Sequence, residues 1–178
     1  MNPNQIIEQY YSKGSELSNL LILHSENVRD KALAIVQKHP ELNADANFIS
    51  EAAMLHDIGI FMCHAPNIYC SGEHKYIAHG YLGSDLLMSH NLPRHALVCE
   101  RHTGTGLSVA DIQKQHLPLP LRNMIPISIE EQIICYADKF FSKSKPNTTL
   151  PADTIKKHLK HYGNAQLERF EVWEKIFE

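Results

Sequence analysis

An all-α fold, built as a single-domain helical bundle, is what this chain predicts, on three observations. Apolar residues recur at three- and four-residue spacing almost throughout. No run of alternating strand-forming residues is long enough to build a sheet. Proline, glycine and asparagine fall mostly between the periodic stretches. At 178 residues the chain is long enough to bury a core without staples. One domain is expected over 1–178, with a core at about 17–145 and a helical extension at about 151–178.

Each element follows from its own spacing. Leu17, Leu20, Leu21, Val28, Ala32, Ile35 and Val36 predict a long helix from about Ser15 to Lys38, stopped before Pro40. Ala44 to Leu55 makes the next, with Phe48, Ile49, Ala52, Ala53 and His56 on or near one face. Phe61 to Glu73 holds Pro66, Asn67 and Ser71-Gly72 and reads as a loop. Helices resume from about Tyr76 to Met88 and from Arg94 to His102, separated by Asn91-Leu92-Pro93, and the second stops at Thr103-Gly104-Thr105-Gly106. A short helix from Ser108 to Gln115 precedes a proline-punctuated loop from Leu117 to Pro126. Ser128, followed by Glu130 and Glu131, opens a helix carrying Ile133, Ile134, Ala137, Asp138 and Phe141. A last helix or pair follows Pro151, broken near Gly163, with Leu159, Leu167, Phe170, Trp173 and Ile176 as its apolar positions.

Composition bounds the partners. A net charge of -3 and a pI near 6.4 argue against broad electrostatic binding to a nucleic acid polymer or to an anionic membrane. Cys63, Cys70, Cys99 and Cys135 show no CxxC spacing, and the first residues lack the basic and apolar blocks of a signal peptide. A cytoplasmic setting is expected. Twelve histidines is a high count for a residue whose neutral ring is a common metal ligand.

Six polar side chains stand where apolar ones belong. His24 lies among Leu20, Leu21 and Val28; His56 and Asp57 close the run Ala52 to Leu55; His79 shares a face with Gly83 and Leu86; His102 follows Val98 by four, and Asp138 follows Ile134 by four. A polar group on an apolar stripe must find a partner inside the fold. Taken singly, each reads as a hydrogen-bonded core residue. Together, as a set made only of imidazoles and carboxylates, they point to metal.

On these residues the chain resembles the HD-domain phosphohydrolase superfamily: His24, then His56-Asp57, then the distant Asp138, with Ile58-Gly59 completing the HDIG variant. His79 and His102 stand at the two further positions of binuclear members such as the HD-GYP cyclic-dinucleotide phosphodiesterases and the HD-type diadenosine tetraphosphatases. The resemblance implies a stand-alone HD bundle and a cofactor of two divalent transition metal ions, iron foremost, with Mn, Zn, Co or Ni as alternatives. His24, His56 and Asp138 would hold one ion, His79 and His102 the other, and Asp57 would bridge them. A bridging hydroxide would then attack a phosphomonoester, phosphodiester or phosphoanhydride of a small nucleotide-like substrate. Asp57, His56 and Arg101 are the catalytic candidates. Two departures stand out: the GYP signature is absent, and Ile60-Phe61 stands where many relatives carry a lysine.

Substrate contacts must then come from elsewhere. Arg101, Lys139 and Lys143 neighbour the proposed ligands, while His64, Tyr69 and His74 lie in the loop after the His-Asp pair. That loop also holds Cys63 and Cys70, but the Cys63-His64 adjacency suits no tetrahedral zinc spacing, and a substrate-covering loop is the better reading. Glu51 and Glu100 are candidates for supporting or acid-base roles. His39, His90, His95, His116, His158 and His161 are expected at the surface. Two rival readings stay open at this level: an HD-type di-iron oxygenase, and a nucleotide-binding regulator without turnover. The partners expected are a small phosphorylated or nucleotide substrate, no membrane, and a monomer or homodimer.

Overall fold

The computed structural model describes the chain from Met1 to Glu178, the Asn147 side chain apart. A short helix α1 (Pro3–Tyr10), capped by the Asn2 side chain with Pro3 in its first turn, precedes the long helix α2 (Glu16–Lys38). Ser15 caps α2 by accepting from the Ser18 N–H at 3.1 Å. Leu20, Leu21, His24, Val28, Ala32 and Ile35 then line one buried face of it. Helix α3 (Ala46–Leu55) starts on Asp45, which accepts from the Phe48 N–H at 3.0 Å. It buries Phe48, Ile49, Ala52, Ala53, Met54 and Leu55.

Past α3 the chain turns through His56 and Asp57 into a single 3₁₀ segment, Ile58–Met62. Gly59 is required there. A Cβ on it would run into the His79 carbonyl oxygen and the Gly83 backbone nitrogen. The turn therefore packs directly on helix α4 (His79–Ser89), which is followed by α5 (Pro93–Arg101), α6 (Val109–Lys114), α7 (Ile129–Asp138), α8 (Ala152–Tyr162) and α9 (Asn164–Phe177).

The all-α expectation is corrected here, because two small sheets are present. Between Asp57 and His79, strands β1 (Cys63–Ala65), β2 (Cys70–Ser71) and β3 (His74–Lys75) form a three-stranded sheet in the order β2-β1-β3. The β1/β2 pair is antiparallel, His64 facing Ser71, and the β1/β3 pair is parallel, Cys63 facing His74. After α7, strands β4 (Phe141–Ser142) and β5 (Lys145–Thr149) make an antiparallel hairpin. Strands of two to five residues are too short to show an alternating pattern, which is why the first sheet reads as a loop. Phe141, expected on the preceding helix, is instead a strand residue, since α7 stops at Asp138.

The core has two parts. One gathers Val28, Ala32, Ile49, Ala52, Ile133, Tyr136, Phe170 and Phe177 from α2, α3, α7 and α9. The other gathers Ile7, Tyr11, Leu21, Leu55, Ile58, Ile60, Leu87 and Cys99. Along α2, His24 falls between Leu21 of the second part and Val28 of the first. His56 and Asp57 fall between Ala53 and Ile58 in the same way. The polar cluster thus occupies the seam between two apolar regions. No helix among the described residues is long and apolar enough to cross a membrane.

Candidate functional site

Five helix ends or faces deliver six side chains to this seam. His24 comes from the middle of α2, His56 and Asp57 from the exit of α3, His79 from the first turn of α4, His102 from the end of α5 and Asp138 from the last turn of α7. All six are buried, His56 and Asp57 completely. Two sets of donor atoms result, each with all members within 4.8 Å of one another: His24, His56, Asp57 and Asp138, and Asp57, His79 and His102.

Asp57 joins the two sets. Its Oδ2 lies 3.1 Å from the Nε2 atoms of both His24 and His56, and its Oδ1 lies 3.4 Å from His79 Nε2 and 3.3 Å from His102 Nε2. Asp138 Oδ1 is 3.0 Å from His24 Nε2 and 3.5 Å from His56 Nε2. Close as these atoms are, neither Asp57 oxygen nor His56 Nε2 has a hydrogen-bond partner of acceptable alignment. Side chains so placed are aimed at a common point more than at each other. Orphaned buried groups of this kind cost several kcal/mol, roughly 1–3 each, unless something else satisfies them.

Three of the histidines are held from behind. His56 Nδ1 meets the Ala53 carbonyl at 2.6 Å, His79 Nδ1 the Tyr76 carbonyl at 2.7 Å, and His102 Nδ1 the Cys99 carbonyl at 2.7 Å. A backbone carbonyl only accepts, so each Nδ1 carries the proton and each Nε2 presents its other valence to the cluster. Burial first, and His102 next, push His79 down to about 3, while burial also lowers His102 against the pull of Asp57. Burial works against a charged His56, yet Asp57 and Asp138 hold it up to about 9. Burial would raise Asp57, but the Lys143 ammonium and then His56 keep it well below the usual carboxylate range.

Two lysines close the cluster. Lys143, in the turn between β4 and β5, sets its Nζ 2.5 Å from Asp57 Oδ2. Lys139 Nζ lies 2.8 Å from Asp138 Oδ2 and donates to the His102 carbonyl at 3.1 Å. Arg101 points elsewhere. Its Nη1 is paired with Glu131 Oε2 at 2.9 Å. Glu100 is likewise engaged, by Arg122 Nε at 2.7 Å, and Glu51 sits beside His95, 3.4 Å away. His64, Tyr69 and His74 are exposed on the small sheet and its turn. Cys63 and Cys70 are buried while those two histidines are not, and the four form no metal-holding group among the described residues.

A cavity of about 380 Å³ opens on His79, lined also by Tyr76, Thr103, Leu107, Leu117 and Tyr162. Tyr76 stacks on His79, ring centroids 4.7 Å apart and planes inclined by 25°. Sequence reasoning passed over Tyr76, although its place three residues before His79 puts its carbonyl under that ring. His95, expected at the surface, is buried against Phe48. A second unforeseen group is Gln166 of α9. Its Oε1 accepts from the Thr105 N–H at 2.6 Å and the Thr105 hydroxyl at 2.8 Å, and its Nε2 donates to the Gly106 carbonyl at 2.6 Å. These bonds pin the loop that leaves His102.

No family model matches the chain, and no solved structure does. It is 33% identical over 129 residues to the tRNA (cytidine(56)-2'-O)-methyltransferase of Thermoplasma volcanium, covering 72% of this chain and 33% of that protein. It is 30% identical over 134 residues to the enzyme of the same name from Picrophilus torridus, covering 75% of this chain and 35% of that protein. The chain therefore spans about a third of the length of these two relatives. Neither is named as a phosphohydrolase. The expected membership of the HD-domain phosphohydrolases, the hydrolytic activity with its oxygenase and regulator rivals, and the paired transition-metal cofactor are corrected on that finding. So is the expectation of a small-nucleotide substrate with no nucleic acid polymer, since both names carry tRNA. A third relative, an uncharacterized protein of Methanocaldococcus jannaschii, is 31% identical over 157 residues that cover 83% of this chain and 84% of that protein. Matched over more than four fifths of both, the chain belongs to the same family as the Methanocaldococcus jannaschii protein.

Proposed function

We propose that this chain works in RNA modification as an RNA-binding protein whose buried His24, His56, Asp57, His79, His102 and Asp138 hold a cation. The observation that carries the cation is Asp57, whose two buried oxygens lie 3.1 to 3.4 Å from four imidazole nitrogens without an aligned hydrogen bond, Oδ2 also meeting the Lys143 ammonium. Mixed imidazole and carboxylate donors suit a divalent ion. The RNA partner rests on the two relatives named for tRNA methylation. A cation at the seam would leave Lys139 and Lys143 as surplus positive charge beside it, favourable for a phosphate-bearing polymer in a chain whose overall charge is negative. Four free, buried cysteines suit a reducing cytoplasm.

Methyl transfer itself needs a donor, and S-adenosylmethionine is the one such an activity suggests. Its ribose diol and ammonium call for carboxylate acceptors. The cavity beside His79 offers Tyr76, Thr103, Gln115, Tyr162 and Gln166 as its polar lining and no carboxylate, so that cavity does not fit the group. No methyl-transfer step is derived for this chain, and we place the methyl transfer of the two named relatives outside the third that it matches.

Retention of unfractionated tRNA by the purified protein, measured with and without a chelator, tests the reading. Binding that weakens on chelation supports it. No retention at any protein concentration up to saturation, or retention indifferent to chelation in a protein that carries no metal, overturns it.

A further inference from the structure

We propose that the cavity beside His79 seats a single unpaired nucleobase, with the RNA strand running on past Lys139 on one side and Lys143 on the other. This rests on the RNA-binding reading above and deepens it by naming the form of RNA recognised. Three cavities line up around the cluster. The first, on His79, shares Tyr76 with a second that contains Lys143, Ser142, Ser144 and Asn67, and shares Gly104 and Tyr162 with a third that contains Lys139, His158 and Leu150. Together they trace one groove over the opening of the cluster.

The chemistry of the groove alternates as a strand of RNA does. Flat apolar surface lies in the middle, where Tyr76 stacks on His79 and Tyr162 stands 63% exposed with its ring at the cavity edge. Lys139 and Lys143 line either end, their ammonium groups turned in onto Asp138 and Asp57, and a cation on those carboxylates would release them to the strand. Base stacking on aromatic rings with the backbone tracked by cations is how single strands are held without sequence preference. A duplex keeps its bases stacked within the helix and has none to offer a cavity of about 380 Å³. The occupant is therefore an unpaired stretch, at a loop or an end.

The test is fluorescence anisotropy with a labelled single-stranded RNA of about 12 nucleotides, a length within the usual range of single-strand sites, and with a blunt duplex of the same sequence. The wild-type chain should bind the single strand about tenfold or more tightly than the duplex. Tyr162→Ala should weaken single-strand binding by about tenfold, the effect of one lost base stack, and Tyr162→Phe should restore it. Val172→Ala, an exposed position that lines none of the three cavities, should change nothing. Equal affinity for strand and duplex, or an unchanged Tyr162→Ala variant, overturns the base-seating proposal while leaving RNA binding intact. Absence of binding to either RNA overturns both readings.

Discussion

His79 and His102 face each other across 2.9 Å through their Nε2 atoms, although both rings already spend their proton on a carbonyl behind them. Two lone pairs at that distance repel unless an electropositive atom lies between or beside them. A bound cation supplies one. In chelated protein, His79→Gln should therefore leave the melting temperature unchanged or raise it, because the repulsion goes. In cation-loaded protein the same change should lower it. A cation present at 100 times its dissociation constant stabilises by about 2.7 kcal/mol, and calorimetry of wild type and variant with and without chelator reads the crossover.

Gly59 brings Asp57 and His79 together. With the His79 carbonyl and Gly83 nitrogen standing where its Cβ would go, Gly59→Ala cannot be absorbed by a side-chain rotation, since both obstacles are backbone. Overpacking of this kind costs typically ~1–3 kcal/mol, occasionally more. The unfolding free energy from urea titration should fall by that amount, and the cluster should lose cation affinity along with it.

Gln166 ties α9 to the loop after His102. Gln166→Leu leaves the Thr105 N–H without a partner and removes one bond each from the Thr105 hydroxyl, which keeps the residue-166 backbone carbonyl, and from the Gly106 carbonyl. At roughly 1–3 kcal/mol for a buried group left unsatisfied, a loss of about 2–4 kcal/mol in urea unfolding is expected. Arg169, which donates to the Thr105 carbonyl at 2.9 Å and the Gly106 carbonyl at 2.8 Å, keeps the loss below the sum of its parts.

How much of this was legible in the residues differs element by element. The stripe Leu20, Leu21, Val28, Ala32, Ile35 predicts a helix from about Ser15, and α2 runs Glu16–Lys38, because a long amphipathic helix announces itself over several turns. The same cue misleads at Phe141, where the apolar spacing continues after the backbone has turned into β4. Sheets of two- and three-residue strands leave no pattern to find, so the stretch 63–75 reads as a loop. Arg101 stands next to His102, but a single helical step turns it to Glu131 on α7. Adjacency in sequence is not adjacency in space. Tyr162 and Gln166 lie some sixty residues from the loop they border, and nothing local marks them.

His95 gives a pH effect of defined sign. Burial depresses its basicity, partly offset by Glu51. The unfolded chain, with an ordinary histidine value near ~6.5, therefore binds this proton more readily than the folded one. Stability contributed here is intact above about pH 6.5 and is lost as pH falls below it. His95→Leu should flatten the fall in stability between about pH 6.5 and 5 relative to wild type, as read by urea unfolding at stepped pH.

The most direct measurement is elemental analysis of the purified chain beside Asp57→Asn, with circular dichroism confirming that both are folded. Asp57 is the one carboxylate shared by both donor sets, so wild type should carry metal and the variant should carry little or none. A wild-type protein that binds no divalent ion, even after incubation with excess, would contradict a cation at the seam.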